Sequence, residues 1–276
     1  MYTFYADDTY AKAGKEDQSN RLHLFGGFLI SKSDEPSLLE IMKTEKAKYT
    51  HPNLPIKWNF KDTPIREKYE EFNRKEEYKN MLSKSNDWRR EIIKKSLHLD
   101  YKILCGIIEP YSTDPKMIKR SKSDLLKYSL ENILMRIGLD VQHQNRETFI
   151  VLDWPPDGNP QPFVQGYYRL FHTGVSSAGN ELMCGKLSDC QFYHSLLFAK
   201  CNHSPMLQFS DLIIGSIKDY VECRLSGRQN LFATEIFEMY KHKIRNNKGK
   251  IMNYGLITSA GNSSFKQKLK EAFSDT

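Results

Sequence analysis

The sequence predicts a mixed α/β fold, one sheet flanked by helices, on three observations. The first two strand-like runs, "YTFYAD" (2 to 7) and "RLHLFGGFLI" (21 to 30), are separated only by the polar stretch "TYAKAGKEDQSN", the order of an antiparallel hairpin with a long loop. Later strand-like runs are separated by helical segments, the order of crossovers between parallel strands. No internal repeat and no low-complexity linker interrupts the 276 residues, so residues 1 to 276 read as one domain.

Taken in order, residues 2 to 7 offer no polar face, which predicts a strand covered on both sides and ending at the paired aspartates of "FYADDTY". Leu38, Leu39, Ile41 and Met42 set a helical period over 35 to 48. Residues 62 to 97 are highly charged and short of Gly and Pro, but Tyr69, Phe72, Tyr78, Met81 and Leu82 still supply a stripe, so this insertion reads as one or two solvated helices. "YKILCGII" (101 to 108) is a strand, "KSDLLKYSLENILMRIG" (122 to 138) a helix ending at Gly138, and "TFIVLD" (148 to 153) a strand that stops at Asp153 before the turn "WPPDGN". Residues 160 to 190 show no clear period. "HSLLFAK" (194 to 200) predicts another buried strand, and "PMLQFSDLIIGSIKDYVEC" (205 to 223) a helix with Pro205 near its start. A helix over 231 to 243, the segment "MNYGLITS" and a tail helix over 263 to 273 follow.

No apolar run approaches the roughly 18 residues of a membrane span, and no basic stretch leads into an apolar segment at the N-terminus, which implies a cytoplasmic protein without a membrane partner. Five cysteines with no CxxC pair read as reduced, buried thiols. The net charge of +7 is clustered in 89 to 95, 116 to 127 and 241 to 250, which fits a polyanion, with nucleic acid the partner charge favours; a protein partner stays open.

Four acids sit where free charges are costly. Asp7 and Asp8 end the first strand, Asp153 ends a later one, and Asp211 lies on a helix apolar on most sides. Two carboxylates about 4 Å apart repel by roughly 4 kcal/mol at an effective dielectric of about 20, so converging acids call for a cation. Hard oxygen ligands suit one or two Mg²⁺ or Mn²⁺ ions rather than zinc. Alternation along a strand sends Asp7 and Asp8 to opposite faces, which predicts that one of them lies just past the strand end. Gln208, Asp211 and Gly215 share a helix face, and the glycine would admit backbone or substrate. Read singly, each acid is also explained locally, as a turn, a strand-end cap or a helix-borne ion pair.

Other chemistries are less well served. Cys184, Cys190, His194, Cys201 and His203 match no common zinc-finger spacing, and His98, His143 and His172 form no nucleophilic triad. An aspartate-nucleophile phosphatase needs a second Asp two positions after the first, where Thr9 and Tyr10 stand.

"YADDTY", "FIVLD" and "SPMLQFSDLIIGSI" together resemble, in order and spacing, the bacterial family designated domain of unknown function 3800. The resemblance covers most of the chain and is most specific in the last motif. It implies a ribonuclease H-like fold, with the family's acids at Asp7, Asp8, Asp153 and Asp211, its helix glutamine at Gln208, and a lysine-containing segment at "IKWNFKD" that would make Lys57 a phosphate contact. The chain departs from the pattern at Asp8 (for Glu), Thr9 (for Ser), Tyr10 (for Gly) and Ser210 (for Ala), and the helix-borne Glu of ribonuclease H enzymes has no counterpart. The implied activity is metal-dependent phosphodiester hydrolysis, with RNA or an RNA-containing substrate expected and a role in phage defence or as a toxin. The alternative is a nucleic-acid-binding or protein-interaction module on an inactive scaffold of the same shape.

Overall fold

In the computed structural model, which describes residues 1–10, 22–109, 122–155, 158–260 and 263–273, the strands are β1 (Tyr2–Tyr10), β2 (His23–Ser31), β3 (Tyr101–Ile108), β4 (Thr148–Asp153), β5 (Leu197–Ala199) and β6 (Leu256–Ala260). They form one sheet in the order β5-β4-β1-β2-β3-β6. β2 is antiparallel to both β1 and β3, while β4 runs parallel to β1, β5 to β4 and β6 to β3. This is the predicted mixed sheet, antiparallel first and parallel later, and it is consistent with a ribonuclease H-like arrangement. The helices are α1 (Glu35–Ala47), α2 (Thr63–Glu71), α3 (Lys75–Ser83), α4 (Ser85–Ser96), α5 (Lys122–Val141), α6 (Gln161–Thr173), α7 (Pro205–Ser226), α8 (Leu231–Tyr240) and α9 (Ser263–Ala272).

Every residue of β2 is buried, as a central strand covered on both faces must be. On the first face, Phe28, Ile30, Ile103 and Ile107 pack with Leu38 and Met42 of α1, Trp88 and Ile92 of α4, and Phe209 and Ile213 of α7. On the second face, Phe4, Ala6, Phe25, Ile150 and Leu152 pack with Leu130, Ile133 and Leu134 of α5 and with Phe163, Tyr167 and Leu170 of α6. Helix α7 starts at a Ser204 cap, whose side chain accepts the Leu207 amide, and continues from Pro205, whose missing N–H costs nothing at that position. It lies close on the sheet: Ser210 Oγ donates to the carbonyls of Tyr5 and Gly26, both at 3.2 Å. A Cβ at Gly27 would stand 1.8 Å from the Tyr5 carbonyl oxygen and 2.5 Å from Ser210 Oγ, so only glycine permits this approach.

Several expectations change. β1 does not end at the aspartates; antiparallel pairing to β2 carries it through Tyr10↔His23. The charged insertion folds as three helices, and they are not simply solvated: Ile65, Tyr69, Met81, Trp88, Ile92 and Ile93 are buried, with the Phe60 ring set between Tyr69, Tyr78 and Trp88. Gly138 lies inside α5, where a Cβ would meet Cys184 Sγ at 2.5 Å, and the helix runs on to Val141. Helix α6 fills part of the stretch without a visible period; its buried Phe163, Gly166, Tyr167 and Leu170 do hold helical spacing, but Gly166 stands where an apolar residue would have completed the stripe. β5 is three residues long and partly exposed, not a buried seven-residue strand. Residues 11–21, the predicted hairpin loop, and 116–121 of the second basic run lie outside the described residues.

Candidate functional site

β1 and β4 pair in parallel from Tyr2↔Thr148 to Ala6↔Leu152, and the next residue on each is an aspartate, Asp7 and Asp153. Since β1 stays bonded to β2, the sheet opens between β1 and β4 at the two acids. β1 is also where connectivity reverses, its neighbour on one side coming from the hairpin and on the other from a crossover. Open α/β sheets bind ligands at such crevices, outside the carboxyl ends of parallel strands.

Alternation then sorts the acids. Phe4, Ala6, Ile150 and Leu152 point into the second face, so Asp7 and Asp153 point to the first, where α7 brings Asp211. A backbone amide holds one oxygen of each carboxylate: Asp8 N–H donates to Asp7 Oδ1 (2.6 Å), Cys201 N–H to Asp153 Oδ1 (2.7 Å) and Trp58 N–H to Asp211 Oδ2 (2.5 Å). Burial, and then the charges of Asp153, Asp211 and Asp8, push the Asp7 carboxyl well above its ordinary value. Burial raises Asp153 and Asp211 too, against the amides that hold them and the Lys57 ammonium.

Lys57 therefore belongs to this cluster. Although burial works against its charge, Asp211, Asp7 and Asp62 hold the ammonium above its usual range. Asp8 does not join the trio: Oδ2 lies 2.8 Å from Nε2 of the buried His23, on the α5 and α6 face. It stays a residue of β1 rather than passing the strand end, and its neighbouring charge reaches Asp7 only as repulsion.

Gln208 is committed to structure. Its Oε1 accepts from Lys46 Nζ (3.1 Å) and the Ile56 amide (3.4 Å), and its Nε2 donates to the carbonyls of Cys201 (3.1 Å) and Asn202 (3.3 Å). It ties α1, the segment carrying Lys57 and the turn holding Asp153 to one helix. Buried Lys46, pushed down to about 8 by desolvation, is part of that tie.

Trp58 locks the same segment from the other side. Its indole N–H donates to Asp219 Oδ2 (2.7 Å), its carbonyl accepts from the Arg89 guanidinium, and its ring stacks on Phe232. Gly215 makes room for that ring, since a Cβ there would lie 2.4 Å from Trp58; the glycine serves a protein side chain, not backbone or substrate. Arg89 sits over the Trp58 and Trp88 rings at 4.8 and 5.0 Å.

Sequence reasoning missed Lys46, Trp58, Arg89 and Cys201. Arg89 stood in a run read as a polyanion patch, where Arg90 pairs with Glu235 and Lys95 with Glu45, and in the third run Lys241 pairs with Glu238 and Arg245 with Asp140. Cys201 stood in the run weighed for zinc; burial, then Asp7 and Asp211, hold its thiol protonated. Cys184 and Cys190 pack instead under Gly138.

Among the described residues, no group of three or more His, Cys, Asp or Glu side chains is arranged to hold a metal ion. The three carboxylates share one electrostatic neighbourhood without closing into a ligand set, as like charges around a lysine ammonium would. No described helix is long and apolar enough to cross a membrane. Protein-family models, curated proteins and solved structures were each compared with the chain, and none matches.

Proposed function

We propose that the chain is a divalent-metal-dependent nuclease of the domain of unknown function 3800 family, acting on RNA or RNA-containing substrates. One observation carries the reading: Asp7, Asp153 and Asp211 converge where β1 and β4 part, each pinned by a backbone amide. The donor set consists of hard oxygens, which suit Mg²⁺ or Mn²⁺, and a cation drawn between them would offset the burial and mutual repulsion that raise the carboxyls. Asp7, Asp153 and Asp211 would hold the cation. When bound, it would activate water and stabilise the leaving 3′ oxygen. Lys57, on the same cluster, would place its ammonium on a non-bridging phosphate oxygen.

The test is cleavage of labelled single-stranded RNA, single-stranded DNA and a hybrid by pure protein with Mg²⁺ or Mn²⁺, beside Asp153→Ala and Asp211→Ala. Cleavage abolished by EDTA and in both variants is the expected result. A second reading, a binding module on an inactive scaffold, draws on Lys57, which already supplies a cation to the acids. Absence of cleavage together with absence of a metal-dependent thermal shift would establish that reading instead.

A further inference from the structure

Two of the five cysteines share one hollow. A Cβ built on Gly138 of α5 would lie 2.5 Å from Cys184 Sγ and 3.7 Å from Cys190 Sγ, so the absent side chain leaves a space that both sulfurs line. The two thiols hydrogen-bond to each other, and the Cys190 thiol also donates to the Cys184 carbonyl at 3.3 Å. The other three keep different company: Cys105 is held within β3, Cys201 lies among the acids, and Cys223 lies beside Asp219 and Glu222 on α7.

The local backbone permits a closer approach. Neither cysteine belongs to a helix or strand; each sits in a turn, with Gly185 N–H donating to the Leu182 carbonyl at 3.0 Å and Cys190 N–H to the Leu187 carbonyl at 3.1 Å. A disulfide needs sulfurs about 2 Å apart, and side-chain rotation within two turns brings them together without breaking a sheet ladder. Cys184 also lies at the rim of the second core, between Met183, which is 72% exposed, and exposed Gly185, where a small disulfide reaches it. Burial raises both thiols, Cys184 to about 12, so thiolate is scarce at neutral pH and exchange is slow there. The segment goes on to support β4: the Gln191 carbonyl accepts from the Thr148 amide and Tyr193 N–H donates to the Thr148 carbonyl, both at 2.9 Å.

We infer that Cys184 and Cys190 are a dithiol–disulfide couple that closes in place beneath Gly138 and staples the segment supporting β4. The oxidant is a small disulfide of the oxidised-glutathione class. The Cys184 thiolate attacks one of its sulfurs, forming a mixed disulfide and releasing one thiolate; the Cys190 thiolate then attacks Cys184 Sγ and releases the second. The protons given up by the two cysteines end on the two departing thiolates, so two protein thiols and one small disulfide become one protein disulfide and two small thiols. Closing the ring constrains the unfolded chain, which makes the oxidised protein the more stable one. The couple lies in the core on the second face and is independent of the nuclease reading.

The experiment takes the whole folded chain, oxidises it with excess glutathione disulfide at about pH 8.5, where thiolate is more plentiful, blocks the remaining thiols with N-ethylmaleimide and maps the tryptic peptides by mass. Lys186 lies between the two cysteines, so trypsin places them on separate peptides, 170–186 and 187–200, which come off joined only where the disulfide has formed. Joined peptides that part on reduction, from a chain that runs as a monomer on a non-reducing gel, are the expected result. The melting temperature of the oxidised protein is expected about 5 °C above that of the reduced one. Cys184→Ser and Cys190→Ser should each abolish both the joined peptides and the temperature difference. The peptide map is read on wild type, so it decides the matter even where a variant fails to fold. Peptides that stay apart overturn the couple, as does a link from either cysteine to Cys201 or to a second chain, or a joined pair with a lowered melting temperature.

Discussion

Asp7 and Asp8 are neighbours in the chain and occupy opposite faces of one sheet. Beneath α7, Asp7 joins Asp153, Asp211 and Lys57 in a charged cluster whose carboxyls are driven up by burial and by one another. Beneath α5 and α6, Asp8 meets His23 at 2.8 Å, surrounded by the apolar residues of the second core. The first arrangement keeps like charges together at a cost, held by amides from three separate segments; the second pairs complementary groups locally. The difference teaches that what sets the candidate-site carboxylate apart here is not its neighbour in sequence but the burial and like charge that the fold maintains around it.

The strongest test of this contrast sets the two aspartates against each other. Asp7→Ala and Asp211→Ala are expected to lower the cleavage rate by roughly 1,000-fold, about 4 kcal/mol, while Asp8→Asn changes it by less than about threefold. Initial rates on one labelled RNA decide it, and equal losses at Asp7 and Asp8 would erase the distinction between the faces.

Next in size is the approach of α7 that creates the charged face. Gly27→Ala drives a Cβ into the Tyr5 carbonyl, and a loss of about 3 kcal/mol is expected in urea unfolding, the upper part of the range for overpacked cores. A neutral result would mean that α7 can lift away freely.

The insertion sharpens the comparison further, because it reaches only the first face of the site. Arg89→Met strips the Trp58 carbonyl of its donor and removes the cation between two indoles, for an expected loss of about 2 kcal/mol. Cleavage should fall with it, since the Trp58 amide holds Asp211, and Arg89→Lys should recover less than half of the rate. Full activity in Arg89→Met would show that Asp211 needs no such hold.

On the other face, Asp8→Asn should cost only about 1 kcal/mol, because the amide oxygen still accepts from His23. Circular dichroism melts of the two Asp→Asn variants, Asp7 and Asp8, should move in opposite directions.

The smallest effect is one of sign. With EDTA present, Asp7 has a folded-state pKa above its unfolded one, so its ionisation opposes folding. That penalty is fully present above the folded value and vanishes as pH falls toward the unfolded one. Its contribution therefore raises stability on acidification. Asp7→Asn should melt on the order of 2 °C higher than wild type at pH 7.5, with the gap closing at lower pH. A gap that widened on acidification would reverse the sign of the argument.

Much of this was legible in the chain. Alternation in "YTFYADDTY" separates Asp7 from Asp8, "TFIVLD" announces a strand ending in an acid, and the burial of Asp211 follows from "LQFSDLIIG". These are local periodicities, and local steric rules suffice to produce them. Helix α6 and the short β5 were not legible, because Gly166 interrupts one stripe and tertiary packing leaves the apolar "SLLF" run partly exposed on a sheet edge. Nor could the chain say where β1 and β4 part, or that a tryptophan 153 positions before Asp211 would hold it. Sequence by itself determined which residues are acidic, which faces are apolar and where most of the strands and helices lie. The tertiary structure alone decided which charges meet, because carboxylates far apart in sequence repel one another and converge only when hydrophobic burial elsewhere and amides from three segments hold them together.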